Sequence, residues 1–475
     1  MKILFPLIPV LLLALQAYAT TSCQPEQIHL ALSDDFTTHP NIASPIKAIF
    51  HTKQECKSAF IALETSDGTI KVTATNVSYF YDVYDNALYD TYVHIFDFPS
   101  LPFSQIYQYT CYGDDSTSSA KSTKGPFKFY VPNHNPDGQE TTVVMFGDLD
   151  ATDEGKTTMS RLVSMKDANF TKIAAYIHMG DMAYNLEGKG GKRGDDYMKA
   201  VQDFAASMPY MISPGNHEAF HNFSNVNMRF KMPLFAQTQN HYYSYNLGNM
   251  HFASINLDLA IMFPELMAGM KDWLAQDLAE ANLNRKERPW IIVYTHRPLY
   301  CSKNKDDCLV NAELFSEIED VVNQHKVDLY VSGHVHMYER MLPIKKGAVA
   351  AFQQFNKGDP LHHIVNAQAP VYVVQGAAGH SGDSEDARPY QPKSYSVKVD
   401  KAYSFLALHS KNNTHLLVEN MSSSKGTVLD HFYLVKGEGY GNLPFYSKNA
   451  GQLTDDYIDS KKLKKLLRGV YDVGY

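Results

Sequence analysis

Seven side chains of metal-ligating type fall in five short segments: Gly147-Asp148, Gly180-Asp181-Met182-Ala183-Tyr184, Gly215-Asn216-His217-Glu218, Thr295-His296 and Gly333-His334-Val335-His336. Carboxylate, amide and imidazole donors in this order describe a site for two cations and for phosphoester chemistry. Tyr184 stands three residues after Asp181 and adds a phenolate, a hard anionic ligand suited to ferric iron. Taken singly, each segment has a plainer reading. An Asp after a strand is usually a helix cap or a turn residue. A lone Tyr is usually a packed aromatic, and Asn216-His217 fits an ordinary turn. Gly333-His334-Val335-His336 is stronger, because two imidazoles flank one apolar residue. The joint occurrence of all five is what argues for a metal site.

What must position these residues is a set of strand ends. The apolar runs Val143–Phe146, Ala174–His178, Tyr210–Ser213, Trp290–Tyr294, Leu329–Ser332 and Val371–Gln375 read as strands. Asp148, Asp181, Asn216, His296 and His334 each fall one to three residues past such a run. Helical spacing appears in Met270–Asn284, through Trp273, Leu274, Leu278 and Ala281, and in Ala312–His325, through Leu314, Phe315, Ile318, Val321 and Val322. The alternation predicts an α/β sheet packed between helices, with ligands at the carboxyl ends of its strands. Residues 24–132 differ. Period-2 runs such as Ile28–Leu32, Ile70–Ala74 and Tyr92–Phe98, punctuated by Gly, Asp, Ser and Pro, predict an all-β sandwich of fibronectin type. Residues 133–140 read as a polar linker. The tail, 437–475, carries the basic stretch Lys461-Lys462-Leu463-Lys464-Lys465-Leu466-Leu467-Arg468, read as a surface helix or a disordered segment, with membrane contact the lesser alternative.

At 475 residues the chain has room for two domains and a tail. A net charge of -8 argues against a nucleic-acid partner held by electrostatics. Lys2, the apolar run Ile3–Leu15 and Ala17-Tyr18-Ala19 read as a secretory signal peptide, residues 1–19. No later run is long and apolar enough for a transmembrane segment. Five sequons, at Asn76, Asn169, Asn222, Asn412 and Asn420, agree with an exported glycoprotein. Of five cysteines, Cys301 and Cys308 can close a small ring across a polar loop. Cys56 and Cys111 both fall in predicted strands and form a second candidate pair. Cys23 is then left over, free or intermolecular, which leaves an oligomer open. Tyr109, two residues before Cys111, is placed like the tyrosine corner of some sandwich domains.

Taken together the motifs resemble the purple acid phosphatases, over roughly residues 24–436. Pro289-Trp290-Ile291-Ile292 leading to His296-Arg297-Pro298-Leu299-Tyr300-Cys301-Ser302, with Asp306-Asp307-Cys308 beyond, is similar to the long animal form. The resemblance implies an N-terminal all-β fibronectin-III-like sandwich and, over 141–436, a C-terminal α/β metallophosphoesterase domain, a β-sandwich flanked by helices. It implies ferric iron on Asp148, Tyr184, His336 and a bridging Asp181. A second, divalent ion, zinc, iron or manganese, would share Asp181 and take Asn216, His296 and His334. The implied activity is acid hydrolysis of phosphate monoesters by a metal-bound hydroxide. His217 would be electrostatic stabiliser and general acid, and Glu218 would orient a histidine. The implied destination is secreted or lysosomal.

Some positions depart from the family. Asp150 stands where the family commonly has Gly and where other phosphoesterases place a metal-binding His; it is expected to point away from the metals. The loop from Cys301 to Cys308 lacks the paired histidines of plant members. Lys303, Lys305 and His380 are the candidates for the missing phosphate-gripping group. Tyr338-Glu339-Arg340 is expected to support His336. Two competing functions follow. One is a metallophosphodiesterase or nucleotide or sphingolipid phosphoesterase; such relatives carry Asp-x-His at the first motif and lack the tyrosine. The other is a catalytically dead secreted binding glycoprotein, which would be expected to have lost ligands.

Overall fold

The computed structural model describes residues 23–33, 46–115, 121–132, 140–303, 308, 312–354, 361–380 and 392–438. The expected signal peptide, most of the linker, Lys305 and nearly all of the tail lie outside the described residues.

The period-2 runs of the first region become strands; several bury alternate residues, while Glu26–Leu32 and Ile46–Thr52 are buried almost throughout. They form two four-stranded antiparallel sheets. One has the order Glu26–Leu32, Ile46–Thr52, Ala87–Asp97, Asn76–Tyr84; the other runs Gly68–Thr73, Ser58–Thr65, Gln105–Asp114, Lys121–Val131. Ile28, Phe50, Ile61, Phe96, Tyr109 and Phe129 fill the space between them. Alternation decides the fate of the cysteines. In Gln105–Asp114 the inward positions include Tyr107, Tyr109 and Cys111. Cys111 therefore faces the core, and its thiol is free and buried. Cys56 lies in the turn before Ser58–Thr65 and is bonded to Cys23, with Cα atoms 5.6 Å apart. The Cys56–Cys111 pairing expected from sequence is thus wrong, and Cys23 is not the unpaired residue. Cys301 and Cys308 are bonded to each other. Tyr109 also departs from the tyrosine-corner expectation. Its hydroxyl donates at 2.8 Å to the carbonyl of Ala206, a residue of the following region that packs into the sandwich core.

The sandwich is tied to the rest of the chain by a buried polar knot. The Asp195 carboxylate accepts from Gln27, Lys53 and Tyr89 of the sandwich and from Arg229, at 2.9, 2.5, 2.7 and 3.0 Å. Arg229 is fully buried and also bonds Gln27.

The second region is built on two eight-stranded mixed sheets, the helix-flanked sandwich that the resemblance implied. The first has a parallel core of Thr141–Phe146, Ile173–His178 and Tyr210–Ile212, extended by antiparallel strands beginning with Ser404–Ser410. In the second, Met250–Ile255, Trp290–Thr295, Leu329–Ser332 and Val371–Gln375 are parallel. These central strands are buried along their whole length, which is why their sequences read as apolar runs rather than alternating ones. A single core cluster joins the sheets, through residues such as Met145, Phe405, Tyr243, Ile292 and Val373. The Tyr243 hydroxyl crosses between them to the carbonyl of Ile212 at 2.5 Å. Helices Asp153–Ala168 and Lys192–Ala205 add Met159, Leu162, Val201 and Phe204 to this cluster. Met267–Leu283 and Ala312–Gln324 cover the second sheet with Met270, Leu274, Leu278, Phe315, Ile318 and Val322.

Four of the five sequon asparagines reach the surface: Asn76, Asn222 and Asn412 are exposed and Asn169 is partly so. Asn420 sits inside the strand His415–Ser422 with no exposure, and a buried amide cannot carry a sugar in this fold. The expectation of a glycan there is withdrawn.

Candidate metal centre

The strand ends deliver the ligand-type residues from both sheets. Asp148, Asp181 and Asn216 follow strands of the first sheet; His296, His334 and His336 follow strands of the second. The turns that carry them are unusual. Asp148, Asp181, Tyr184 and His334 all have positive φ, at 64, 56, 47 and 69°. Non-glycine residues in this region cost energy and concentrate where function requires a particular direction. Gly180, at φ 79°, shows how close the turns pack: a Cβ there would meet Gly215 N and His296 Nδ1 at 2.7 Å. Backbone bonds stitch the turns together, Asp148 N–H to Gly180 O and Ala183 N–H to Leu149 O, each at 3.0 Å.

Two clusters of donor atoms result. In the first, the Tyr184 phenol oxygen lies 2.7 Å from His336 Nε2 and 3.1 Å from Asp148 Oδ1, and His336 Nε2 lies 3.2 Å from the same oxygen. In the second, His296 Nε2 lies 3.1 Å from Asn216 Oδ1, 3.2 Å from Asp181 Oδ2 and 3.2 Å from His334 Nδ1. Neighbouring ligand atoms about 2.1 Å from one ion and at right angles stand about 3 Å apart. Both clusters have that spacing. The His296 Nδ1 faces the carbonyl of Met179 at 2.7 Å. A carbonyl only accepts, so Nδ1 carries the proton and Nε2 presents a lone pair. That lone pair, the Asn216 amide oxygen and the Asp181 carboxylate converge with nothing but a proton to share, an arrangement that calls for a cation. Burial alone would lower His296, yet Asp181 beside it pushes the imidazole up to about 10. Asp181 is the partner: burial opposes its ionisation, but His296 and its neighbours hold it far below the carboxylate range. The position demands positive charge, and the donor set fits metal ions.

Glu218 does not orient a histidine, as the sequence suggested. It is buried, and its oxygens accept the backbone N–H groups of Asp181, Met182 and Gly215, each at 2.8 Å. It fixes the Asp181 turn. Burial, then Asp181, pushes its carboxyl up to about 8. His217 N–H donates to Asp181 Oδ1 at 3.0 Å. Its ring is 36% exposed, with Nδ1 2.7 Å from Asn185 Oδ1 and Nε2 3.9 Å from Asp181 Oδ2. It therefore stands at the mouth of the site rather than inside it.

Asp150 turns to Arg193 at 2.8 Å and to the backbone N–H of Ala151 at 2.7 Å, with His380 Nδ1 3.6 Å away. Burial would raise its carboxyl, but His380, the Ala151 N–H and Arg193 together lower it. His380 stacks on the Tyr184 ring, which brings it to the site. Lys303 is buried. Tyr338 and Arg340 both bond Asp430, and Glu339 accepts from Ser302 N–H at 2.9 Å. These contacts brace the strand and the Cys301 loop. Sequence reasoning missed Arg297 and Asp258. Arg297 was quoted for its likeness alone, although its place beside His296 was a signal; Asp258 gives none. In the structure Arg297 reaches His334 Nε2 at 2.9 Å and Asp258 Oδ1 at 2.7 Å.

Comparison with known proteins agrees with this centre. Residues 141–338 match the calcineurin-like phosphoesterase family model, and residues 369–431 match that of iron/zinc purple acid phosphatase-like protein C. The chain is 35% identical over 311 residues to acid phosphatase type 7 of Danio rerio, covering 62% of this chain and 67% of the relative. It is 25% identical over 409 residues to purple acid phosphatase 18 of Arabidopsis thaliana, covering 84% and 81%. Its fold is similar to a purple acid phosphatase from yellow lupin (Lupinus luteus) seeds, with a TM-score of 0.72 over 88% of this chain and 75% of that one, at 20% identity. The chain therefore belongs to the purple acid phosphatase family and is a metallophosphoesterase, an acid phosphatase working at a dinuclear, iron-containing centre.

Proposed function

We propose that Asp148, Tyr184, His336 and Asp181 hold ferric iron, and that Asp181, Asn216, His296 and His334 hold a divalent ion, zinc, iron or manganese. The observation that carries this assignment is the pair of donor clusters with spacings of 2.7–3.2 Å. Two carboxylates and a phenolate suit a trivalent hard ion; two imidazoles and an amide suit a divalent one. Bound there, the ions supply a nucleophile deprotonated below neutral pH and polarise the phosphate. The chain's own groups do the rest. Asp181 would be shared by the two ions, and its Oδ1 also accepts the His217 N–H at 3.0 Å. His217, with Nδ1 on Asn185 and Nε2 3.9 Å from Asp181 Oδ2, stabilises the phosphate and hands a proton to the leaving oxygen. Glu218 keeps the Asp181 turn from relaxing.

The same reading gives a protein exported through the signal peptide 1–19, secreted or lysosomal, with glycans on Asn76, Asn169, Asn222 and Asn412. It divides the chain into a sandwich, 24–132, a linker, 133–140, and a catalytic domain, 141–436. The test is a pH-rate profile with p-nitrophenyl phosphate and with bis(p-nitrophenyl) phosphate. The expected result is faster monoester cleavage with an acid optimum. Faster diester cleavage, or an optimum near pH 8, would overturn the phosphomonoesterase assignment.

A further inference from the structure

One residue touches all three members of the first donor cluster. The His380 ring lies flat on the Tyr184 ring, with centroids 3.3 Å apart and planes 16° from parallel. It stands edge-on to the His336 ring at 5.1 Å and 72°. Its backbone N–H donates to the Asp148 carbonyl at 3.1 Å. Two further contacts fix its place. Gly379, at φ 123°, packs so closely on the start of helix Asp153–Ala168 that a Cβ would meet Gly155 Cα at 2.6 Å. The Gly379 carbonyl also accepts from Thr152 Oγ1 at 2.9 Å. The imidazole itself faces a carboxylate, with Nδ1 3.6 Å from Asp150 Oδ2. Asp150 is 3% exposed, and the same oxygen accepts from Arg193 Nη2 at 2.8 Å. A carboxylate only accepts, so the nitrogen that faces it carries a proton whatever the charge of the ring. Asp150 thus holds one nitrogen of the imidazole, and the face of the imidazole holds the phenol. Tyr184 needs such support, because the last torsion of a tyrosine side chain is broad. A ring gripped on its face cannot swing about that torsion. Its oxygen then stays 3.1 Å from Asp148 Oδ1 and 2.7 Å from His336 Nε2.

We propose that His380 and Asp150 are positioning residues of the iron side: Asp150 fixes the imidazole, and the imidazole fixes the direction of the Tyr184 oxygen. Neither side chain gives an atom to the metal in this role. Arg193 completes the line, since a buried carboxylate requires a partner for its charge. This role rests on the two-metal reading above.

The test follows the visible tyrosinate band and the rate of iron loss to a chelator, on the holoenzyme and on His380→Ala, His380→Phe and Asp150→Ala. His380→Ala frees the phenol ring, so the band should shift and broaden and iron should leave roughly 10- to 100-fold faster. His380→Phe keeps a flat ring against Tyr184 without a nitrogen for Asp150, so band and iron retention should stay close to wild type. Asp150→Ala should move both readouts in the direction of His380→Ala, and should move neither in the His380→Phe background. A general structural loss would instead add in every background. An unchanged His380→Ala, a His380→Phe as impaired as His380→Ala, or an Asp150→Ala effect undiminished in the His380→Phe background would each overturn the proposal. If His380→Ala does not fold, the Asp150→Ala and His380→Phe pair decides. A wild-type protein that lacks iron or the band would sink the two-metal reading itself, an outcome distinct from variants compared with a coloured wild type.

Discussion

The phenol oxygen of Tyr184 and Nε2 of His336 stand 2.7 Å apart although 152 residues separate them in sequence. Each arrives from a different sheet, and Asp148 Oδ1 closes the triangle at 3.1 and 3.2 Å. Tyr184 reaches this position only because its own backbone, and that of Ala183 before it, adopts positive φ. An ordinary packed tyrosine would not need that conformation. The strain is better explained by the direction in which the oxygen must point.

Tyr184→Phe tests that explanation. The ring contacts with His217 and His380 would remain, while the oxygen that completes the triangle is lost. We expect the wild-type protein to show a broad visible band from tyrosinate bound to ferric iron. The variant should be colourless, hold less iron and keep the fold. A variant that retains the band would show that another group is the chromophore.

Much of this arrangement was legible in the sequence, for a physical reason. Buried parallel strands must be continuous apolar runs, and ligands at their carboxyl ends follow within three residues, so Asp148 and His296 announce themselves. What the runs do not encode is which sheet each strand joins. The runs alone read as an α/β sheet, and the two facing sheets were implied only by the resemblance, because Thr141–Phe146 and Trp290–Thr295 have the same apolar character. Glu218 was read as a side-chain partner because its sequence neighbours are His217 and Asn216; its real partners are backbone amides, which no sequence displays. Asp258 was silent for the same reason: its meaning lies in Arg297, 39 residues on.

Asp195→Asn should be severe. Arg229 has no exposure, and Asp195 is its charge partner while also joining Lys53, Tyr89 and Gln27 of the sandwich. Arg229, then Lys53, holds the Asp195 carboxyl far below the usual range against the effect of burial. Removing one partner of a buried pair strands the other, at about 3–5 kcal/mol. Urea unfolding should show that loss, with no direct contact to the metal ligands. A change under about 1 kcal/mol would mean that Arg229 finds compensation elsewhere.

The cysteines make opposite predictions in the native state. Cys111 is fully buried and burial pushes its thiol well up, so it should resist iodoacetamide until the protein unfolds. Cys23→Ser should release Cys56 as a second thiol, which is partly exposed and should label. Opening a loop of 33 residues should lower stability by about 3–4 kcal/mol. Peptide mapping under non-reducing conditions that found Cys56 joined to Cys111 would overturn the pairing.

The sandwich should also carry an acid-labile element. His29 is fully buried, with Nδ1 on the Gln27 carbonyl at 2.9 Å and Nε2 without a partner among the described residues. Burial, with the nearby Lys231 and Arg229, lowers its imidazole to about 4 although the Gln27 bond opposes this. The fold thus favours the neutral ring, whereas the unfolded chain takes up a proton near pH 6.5. Its contribution is fully present above that pH. Between pH 6.5 and 4 the unfolded state binds more protons, so stability falls with pH, by up to about 3 kcal/mol for this one group. Below pH 4 both states are protonated and the loss levels off. His29→Gln keeps a donor for the carbonyl and removes the titration. Its unfolding free energy, measured by urea from pH 7 to 4, should fall less steeply than that of wild type. Parallel curves would show that the burden of acid sensitivity lies with other groups, His51 and His94 of the same sheet first among them, since burial lowers both.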